Sequence, residues 1–84
     1  MTPSKVYLIW NLDHLSEGHP YLVGVYSTRA KARKALKKLE SVEAMYANGN
    51  RLVWDSPDIY RKVGRLDYTL NTTYIEPLKV DKEV

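Results

Sequence analysis

The sequence predicts a small α+β fold, in which one main helix packs on one face of a small antiparallel sheet. Two N-terminal stretches have the β-forming residues and two-residue alternation of strands. A longer stretch follows in which apolar residues recur at three- and four-residue spacing, as in a helix. The last third of the chain returns to alternation. Because 84 residues support one core and no more, a single domain over residues 1–84 is expected.

The first two strands are predicted at residues 5–12 and 21–26. In the first, KVYLIWNL, both the odd and the even positions are largely apolar, so this strand has two faces to cover. The second, YLVGVY, is rich in Val and Tyr. The polar segment DHLSEGHP between them contains Gly and Pro, so the two strands are predicted to form an antiparallel hairpin.

The main helix is predicted at residues 29–46. Ser27 or Thr28 provides a hydroxyl that caps the helix N-terminus. The turn signal NGN at residues 48–50 follows the helix. One stripe of the helix is apolar and is expected to face the sheet: Ala32, Ala35, Leu36, Leu39, Val42 and Tyr46.

The segment after this turn has two competing predictions. Residues 51–54 are predicted as a strand. Ser56 and Pro57 are typical of the cap and first turn of a short helix at 57–63, which is the preferred prediction. The alternative is a four-residue hairpin turn over residues 55–58. The predicted order is therefore strand, strand, helix, a short helix or strand, and then two strands.

Two strands at 65–70 and 74–80 are predicted to close the sheet. Apolar residues alternate with polar ones in the first of them. In the second, YIEPLKV, Pro77 has no amide hydrogen, so it is expected at a sheet edge or a bulge. Residues 81–84 are expected to fray.

Three pieces of the chain, KVYLIW, YLVGVYSTRAKARKAL and YIEPLKVD, carry a resemblance to a known pattern. Together they resemble a group of small uncharacterised bacterial and phage proteins with a VY strand, a second strand ending in GVYST or similar, a helix and a closing strand. The resemblance implies this fold and a phage, prophage or bacterial cytosolic setting, and it implies no activity. The chain departs from the group where its helix opens with Arg29 instead of an acidic residue, and where its middle, 47–70, is longer.

The predicted helix begins with a run of positive charge. Its first ten residues hold six of the chain's thirteen basic residues, whereas the rest of the chain has seven basic and ten acidic residues. A solvated outer face is the plain explanation, and a surface for phosphate or for an acidic protein is the functional one. Cations at the helix start, with Glu40 and Glu43 near its end, oppose the helix dipole, which favours the functional explanation. The predicted contact residues are Arg29, Lys31, Arg33, Lys34, Lys37 and Lys38.

The aromatic residues predict an interface. Seven Tyr and two Trp with no Phe form an unusual set for a core, since each buried Tyr hydroxyl needs a hydrogen-bond partner. One helix covers one face of the sheet, so the second face of strand 5–12 is covered by Leu52, Trp54 and Tyr60, by a second copy of the chain or by a partner. The predicted interface residues are Tyr7, Ile9, Tyr21, Trp54 and Tyr60.

The sequence contains no motif that indicates catalysis. It has no cysteine, which removes disulfides, thiol nucleophiles and zinc-thiolate sites. One loop holds four residues of metal-binding types, but their spacing matches no known site, and the chain has neither a nucleophile turn nor a glycine-rich phosphate loop. These loop residues are Asp13, His14, Glu17 and His19. We therefore expect no enzyme activity, no metal and no cofactor.

The sequence favours a non-enzymatic interaction protein. No signal peptide or membrane-length apolar segment is visible, so a cytoplasmic setting is expected, in the host cytoplasm if the chain is phage-encoded. The first hypothesis is a protein that binds a host or self protein and modulates it by occupancy, as an inhibitor does, or that forms a homodimer. The alternative hypothesis is a nucleic-acid-binding protein that places the basic helix 29–38 on phosphates. No small-molecule substrate is evident.

Overall fold

The computed structural model describes residues 4–16 and 18–80. In this part of the chain, five strands and one α-helix form the small α+β fold that the sequence predicts. The strands are β1 (Lys5–Asp13), β2 (Tyr21–Tyr26), β3 (Arg51–Ser56), β4 (Ile59–Val63) and β5 (Thr69–Lys79), and the helix is α1 (Arg29–Met45). The first four predicted elements begin where expected and end within two residues of the predicted position.

All neighbouring strands of the sheet are antiparallel, in the order β2-β1-β5-β4-β3. β1 pairs with β5 along its whole length, from Lys5 opposite Lys79 to Asp13 opposite Asn71. The long last strand therefore joins two hairpins, β1 with β2 and β3 with β4. As a result, β2 and β3 are the two edges of the sheet.

The predicted short helix at 57–63 is wrong, and the alternative hairpin turn is right. Pro57 and Asp58 form a tight turn between β3 and β4. The fixed φ of proline suits this turn as well as a helix start, and the Asp58 amide donates to Ser56 Oγ at 3.0 Å. Beyond the turn, Ile59–Val63 pairs with β3 and β5 on its two sides. This pairing satisfies more of its backbone than a two-turn helix would, and it places Tyr60 in the core.

The two predicted closing strands, 65–70 and 74–80, are one strand with a turn before it. Residues Arg65–Asp67 form a turn in which Leu66 and Asp67 have positive φ, and β5 then runs unbroken through the polar NTT segment. That segment continues the strand because it lies between β1 and β4 and pairs with both. Pro77 lies beyond the part of β5 that pairs with β4, so it has a paired strand on one side only, as expected for proline in a sheet. The predicted frayed tail, 81–84, lies outside the described residues.

The core lies between α1 and one face of the sheet. Thr28, one of the two predicted caps, is the N-cap of α1. Its Oγ1 accepts a hydrogen bond from the Lys31 amide at 3.1 Å. Ile9 and Leu36 meet in the core, and burying each side chain stabilises the fold by about 1.5–3 kcal/mol. The buried cluster consists of Ile9, Ala32, Leu36, Tyr60 and Ile75.

The other face of the sheet, named the open face here, is not covered by any helix or strand of the described residues. The even-numbered residues of β1 point to it, because Tyr7 and Ile9 point to the helix. β3 and β4 extend the same sheet, so Leu52 and Tyr60 pack on the helix side, and Trp54 packs against Tyr60 there. Of the alternatives for covering the second face, the one in which these three residues fold back over it is therefore wrong.

Candidate functional site

One carboxylate holds two of the six predicted contact cations. Arg33 Nε donates to Asp58 Oδ1 at 2.6 Å, and Arg29 Nη1 donates to Asp58 Oδ2. The Asp58 side chain is only 20% exposed, and its backbone oxygen accepts a hydrogen bond from the Ile75 amide at 2.9 Å. The β3–β4 turn therefore brings a fixed anion to the first turns of α1.

Arg29 has a second partner in its own chain. Its guanidinium carbon lies 5.0 Å from the centroid of the Tyr7 ring, which is the geometry of a cation–π contact. Arg29 is therefore held on two sides, by a carboxylate and by an aromatic face. The Tyr7 ring, in turn, is half-buried beneath it.

These contacts account for the order of charges along α1. Its first turn has no acidic residue and its last turn no basic one, which opposes the helix dipole. Asp58 supplies the missing anion at the N-terminal end from the sheet. Towards the other end, Glu43 accepts a hydrogen bond from the Tyr60 hydroxyl at 2.7 Å, and burial of that hydroxyl, followed by this bond, raises the pKa of Tyr60 above its ordinary value. The charge order thus has a structural reason within the chain.

The remaining cations of the helix are lysines. They form no ion pair with any residue that the structure describes, and all four are exposed: Lys31, Lys34, Lys37 and Lys38. Lys34 and Lys37 lie on the flank of α1 that faces the β3–β4 hairpin, and Lys38 lies on the flank that faces β2. The predicted contact set is therefore divided between two sides of the helix.

A groove between α1 and the β3–β4 hairpin contains the first of these flanks. It has a volume of about 620 Å³ and is lined by Arg33, Lys34, Lys37, Trp54, Asp55, Ser56 and Pro57. Trp54 is 37% exposed, and its ring packs at 54° against the Tyr60 ring with the centroids 5.1 Å apart. Asp55 accepts two hydrogen bonds from Arg61, at 2.6 and 3.1 Å. Because Asp55 is already paired with Arg61, it does not neutralise Lys34 and Lys37, which line the same helix–hairpin groove.

The half of the open face formed by β2, β1 and the C-terminal part of β5 is apolar. Leu22, Val25 and Leu78 are 48, 52 and 47% exposed. The carboxylate in this half, Glu76, accepts a hydrogen bond from Trp10 Nε1 at 3.1 Å. The members of this apolar half are Val6, Leu8, Trp10, Leu12, Leu22, Val25, Tyr74 and Leu78.

The other half of the open face, on β3 and β4, carries charges that are paired within the chain. Arg61 holds Asp55 and also donates from Nη1 to Thr69 Oγ1 at 2.9 Å. Arg51 Nη2 donates to Asp67 Oδ1. The open face therefore combines an apolar half with a charged half whose ions already have partners.

The structure separates the predicted interface residues. Ile9 and Tyr60 are fully buried beneath α1, so the prediction that they contact a partner is wrong for this fold. Tyr7 is half-buried below Arg29, whereas Tyr21 is 61% exposed on the edge strand β2 and Trp54 lines the helix–hairpin groove. Sequence reasoning missed the exposed residues of the open face on β2 and β5. The signal that could have identified them is the apolar character of the even-numbered residues of β1, because the strands on either side of β1 also contribute residues to that face.

The loop that carries potential metal ligands has other contacts. Asp13 Oδ1 accepts a hydrogen bond from the Leu15 amide at 2.9 Å, and His14 Nε2 lies 2.8 Å from Thr72 Oγ1. Glu17 lies outside the described residues. Across residues 4–16 and 18–80, no group of three or more His, Asp or Glu side chains is arranged to hold a metal ion. In the same ranges, the helix is neither long nor apolar enough to span a bilayer.

Comparison with known proteins finds no relative. No protein-family model matches the chain. No curated protein and no solved structure matches it either.

Proposed function

We propose that this chain is a non-enzymatic interaction protein that pairs with a second copy of itself through the open face. The observation that carries the proposal is the apolar half of that face, where Leu22 and Val25 of β2 and Leu78 of β5 are about half exposed on either side of β1. A contiguous apolar surface of this kind on a small domain marks an interaction site. The opposite face of the sheet is occupied by α1 and the core.

The area of the open face supports a dimer. Five strands spaced about 4.8 Å apart and about 25 Å long give it roughly 600 Å². Two such faces bury about 1,200 Å² in total, which is the lower end of the range for specific interfaces. Two sheets that stack in this way lie about 10 Å apart, with their strands crossing at about 30°. The face is therefore large enough without any contribution from the helix.

The two edges of the sheet are less suited to pairing than its face. In β2 the residue Val23 interrupts the register with β1, and in β3 Asp55 interrupts the register with β4. Such bulges twist an edge and break the row of backbone groups that an added strand needs. Stacked sheets are therefore favoured over one continuous sheet.

The distribution of charge also favours a second copy of the chain, presenting the same face, as the partner that binds the open face. The ions on β3 and β4 are paired within the chain, and Glu76 is engaged by Trp10. A face of this kind gives little attraction to a strongly charged partner. A second copy of the apolar half covers it at the cost of partly desolvating one carboxylate, Glu76, which keeps its hydrogen bond from Trp10 Nε1. In a two-fold dimer the apolar halves meet each other and the charged halves lie towards the rim.

Nucleic-acid binding along the whole basic helix is the less favoured function. Arg29 and Arg33 share Asp58, so a phosphate would compete with an existing carboxylate for both. The exposed side of residues 29–38 also has no Asn or Gln to read bases. The setting in a phage or bacterium, and modulation of a host protein, stay expectations of the sequence.

Light scattering measures self-pairing directly. The wild-type protein at about 100 µM is expected to have twice its chain mass of 9.7 kDa. The reason is that protein interfaces near this area have dissociation constants that are micromolar or tighter. Val25→Arg should produce a monomer, because a two-fold interface receives the added charge twice. Val25 is half exposed in the single chain, so the fold has room for the arginine.

Val42→Arg is the matched control. Val42 is 48% exposed, close to the 52% of Val25, but it lies on α1 and not on the open face. This variant should remain a dimer. A wild-type monomer at the same concentration contradicts the proposal, and so does a dimer that Val42→Arg disrupts and Val25→Arg does not. A monomer that captures a different protein through Val25 would assign the open face to that protein instead.

A further inference from the structure

We propose that the helix–hairpin groove binds a nucleotide unit, that is, an aromatic base next to a phosphate, either as a free nucleotide or within a single-stranded nucleic acid. The groove lies on the helix side of the sheet, so the site does not depend on self-pairing through the open face. At about 620 Å³ it is within the usual size range of ligand sites.

Trp54 supplies the surface on which a base would stack. Part of its ring packs on Tyr60, and 37% of the residue remains exposed. Tyr60 is fully buried and donates its hydroxyl hydrogen to Glu43, so the Trp54 ring has a fixed support. Pro57 lies in the same lining and adds apolar surface. A supported aromatic ring of this kind accepts any base, because every base has a π-face.

Lys34 and Lys37 are placed for the phosphate. Both line the groove together with Trp54, whereas Lys38, one turn beyond Lys34, lines the surface beside β2 instead. The charged side chains that line the groove are three cations and one carboxylate: Arg33, Lys34, Lys37 and Asp55. Arg33 is paired with Asp58 and Asp55 with Arg61, so Lys34 and Lys37 are the lining charges without an ion-pair partner among the described residues.

The juxtaposition of a flat ring and two lysines that form no ion pair within residues 4–16 and 18–80 favours a nucleotide over an acidic peptide. A carboxylate side chain would use the lysines but would leave Trp54 without a partner, whereas a nucleotide offers a planar ring and an anion next to each other. The polar groups of the hairpin wall are already engaged, since Ser56 accepts from the Asp58 amide and Asp55 accepts from Arg61. Base identity should therefore have little effect on affinity.

Salt dependence distinguishes this groove from binding along the whole helix. For single strands, log affinity falls against log salt with a slope of about −0.7 for each phosphate neutralised. Between roughly 50 and 200 mM salt, one phosphate held by both lysines predicts a loss of about 3-fold, and one phosphate on each lysine predicts a loss of about 7-fold. Six cations would predict a loss of about 300-fold over the same interval.

Fluorescence of Trp54 reports binding at the site itself. Trp10 and Trp54 are the two tryptophans of the chain, so in Trp10→Phe all tryptophan emission comes from Trp54. Oligothymidylate should quench this emission with the shallow salt dependence given above, and duplex DNA of the same length should bind more weakly because its bases are already stacked. Thymidine monophosphate should compete and thymidine should not. Equal affinity for the monophosphate and the oligomer indicates a free nucleotide as the ligand, and much tighter binding of the oligomer indicates a single strand.

Four variants test the assignment of residues. Trp54→Ala should weaken binding by about 5- to 150-fold, the range measured for one stacked base, and Trp54→Phe should retain most of the affinity. Because Trp54→Ala removes packing on Tyr60, a second test uses Lys34→Gln with Lys37→Gln, which are exposed and should leave circular dichroism unchanged. That pair should weaken binding and flatten the salt dependence. Lys38→Gln is the control, since Lys38 lies on the other flank, and it should change affinity less than about 2-fold.

Three results would overturn the assignment. The first is unquenched Trp54 emission at about 50 mM salt. The second is a loss of affinity in Lys38→Gln as large as in the pair Lys34→Gln with Lys37→Gln. The third is tighter binding of a glutamate-rich peptide than of oligothymidylate. Self-pairing is measured by mass and ligand binding by Trp54 emission. A failure of one proposal is therefore distinguishable from a failure of the other.

Discussion

Removing the Asp58 carboxylate tests how α1 is anchored to the sheet. Asp58→Asn preserves the shape of the side chain but leaves Arg29 and Arg33 without their counter-charge. The two arginine side chains are 37 and 47% exposed, so solvent screens each pair to about 0.5–1 kcal/mol. Loss of an anion beside the helix N-terminus adds about 0.3–1 kcal/mol. The free energy of unfolding should therefore fall by about 1–3 kcal/mol.

Urea denaturation followed by circular dichroism measures this change. The control is Asp67→Asn. Asp67 pairs with Arg51, and their side chains are 83 and 62% exposed, so this substitution should lower the free energy of unfolding by less than about 0.5 kcal/mol. In the Asp58→Asn background, adding Arg33→Gln should recover part of the loss, because it removes a cation that lacks a partner. A loss no larger than that of Asp67→Asn, or a further loss on adding Arg33→Gln, would refute the reasoning.

Two further substitutions, at Tyr60 and at Leu66, should change stability in a direction that follows from the structure. Because the pKa of Tyr60 is raised in the folded protein, its contribution is complete below about pH 10 and is lost as pH rises above that value, by up to about 1.4 kcal/mol per pH unit. Tyr60→Phe should remove this fall, and parallel urea stability profiles of the two proteins from about pH 9 to 11 would contradict it. Leu66 has a φ of 63° and is 89% exposed, so Leu66→Gly should relieve strain and raise stability by about 0.5–1 kcal/mol in thermal melts, whereas Leu66→Ala should not. A destabilised glycine variant would show that the leucine side chain contributes to the fold.

Local patterns are sufficient to predict the first half of the fold. β1, β2 and α1 each have their own period, and Thr28 provides a cap that depends on neighbouring residues only. The β3–β4 hairpin could not be predicted in the same way, since a Ser-Pro-Asp segment suits a turn and a helix start equally. The deciding contacts are distant: Ile59–Val63 pairs with β5, and Tyr60 packs in the core under α1.

The candidate surfaces depend even more on distant contacts. The sequence identifies the cations of α1, but the carboxylate that binds two of them is 25 and 29 residues away, beyond the reach of any local pattern. The apolar residues on both sides of β1 predict that a second face needs a cover. Which side α1 takes, and hence that Ile9 is buried while Leu22 and Val25 are exposed, follows from the packing of the whole sheet.

Small-angle X-ray scattering of the wild-type protein tests the proposed pairing most directly, because it distinguishes stacked sheets from joined edges. One chain has a radius of gyration of 14.2 Å. Sheets stacked about 10 Å apart with the helices outward separate the chain centres by about 15 Å, which predicts a radius of about 16 Å. Joined edges of two five-stranded sheets separate the centres by about 24 Å and give a radius of about 19 Å. A value near 16 Å that falls to the single-chain value in Val25→Arg is the predicted result, and a wild-type value near either 19 or 14 Å would contradict face-to-face pairing.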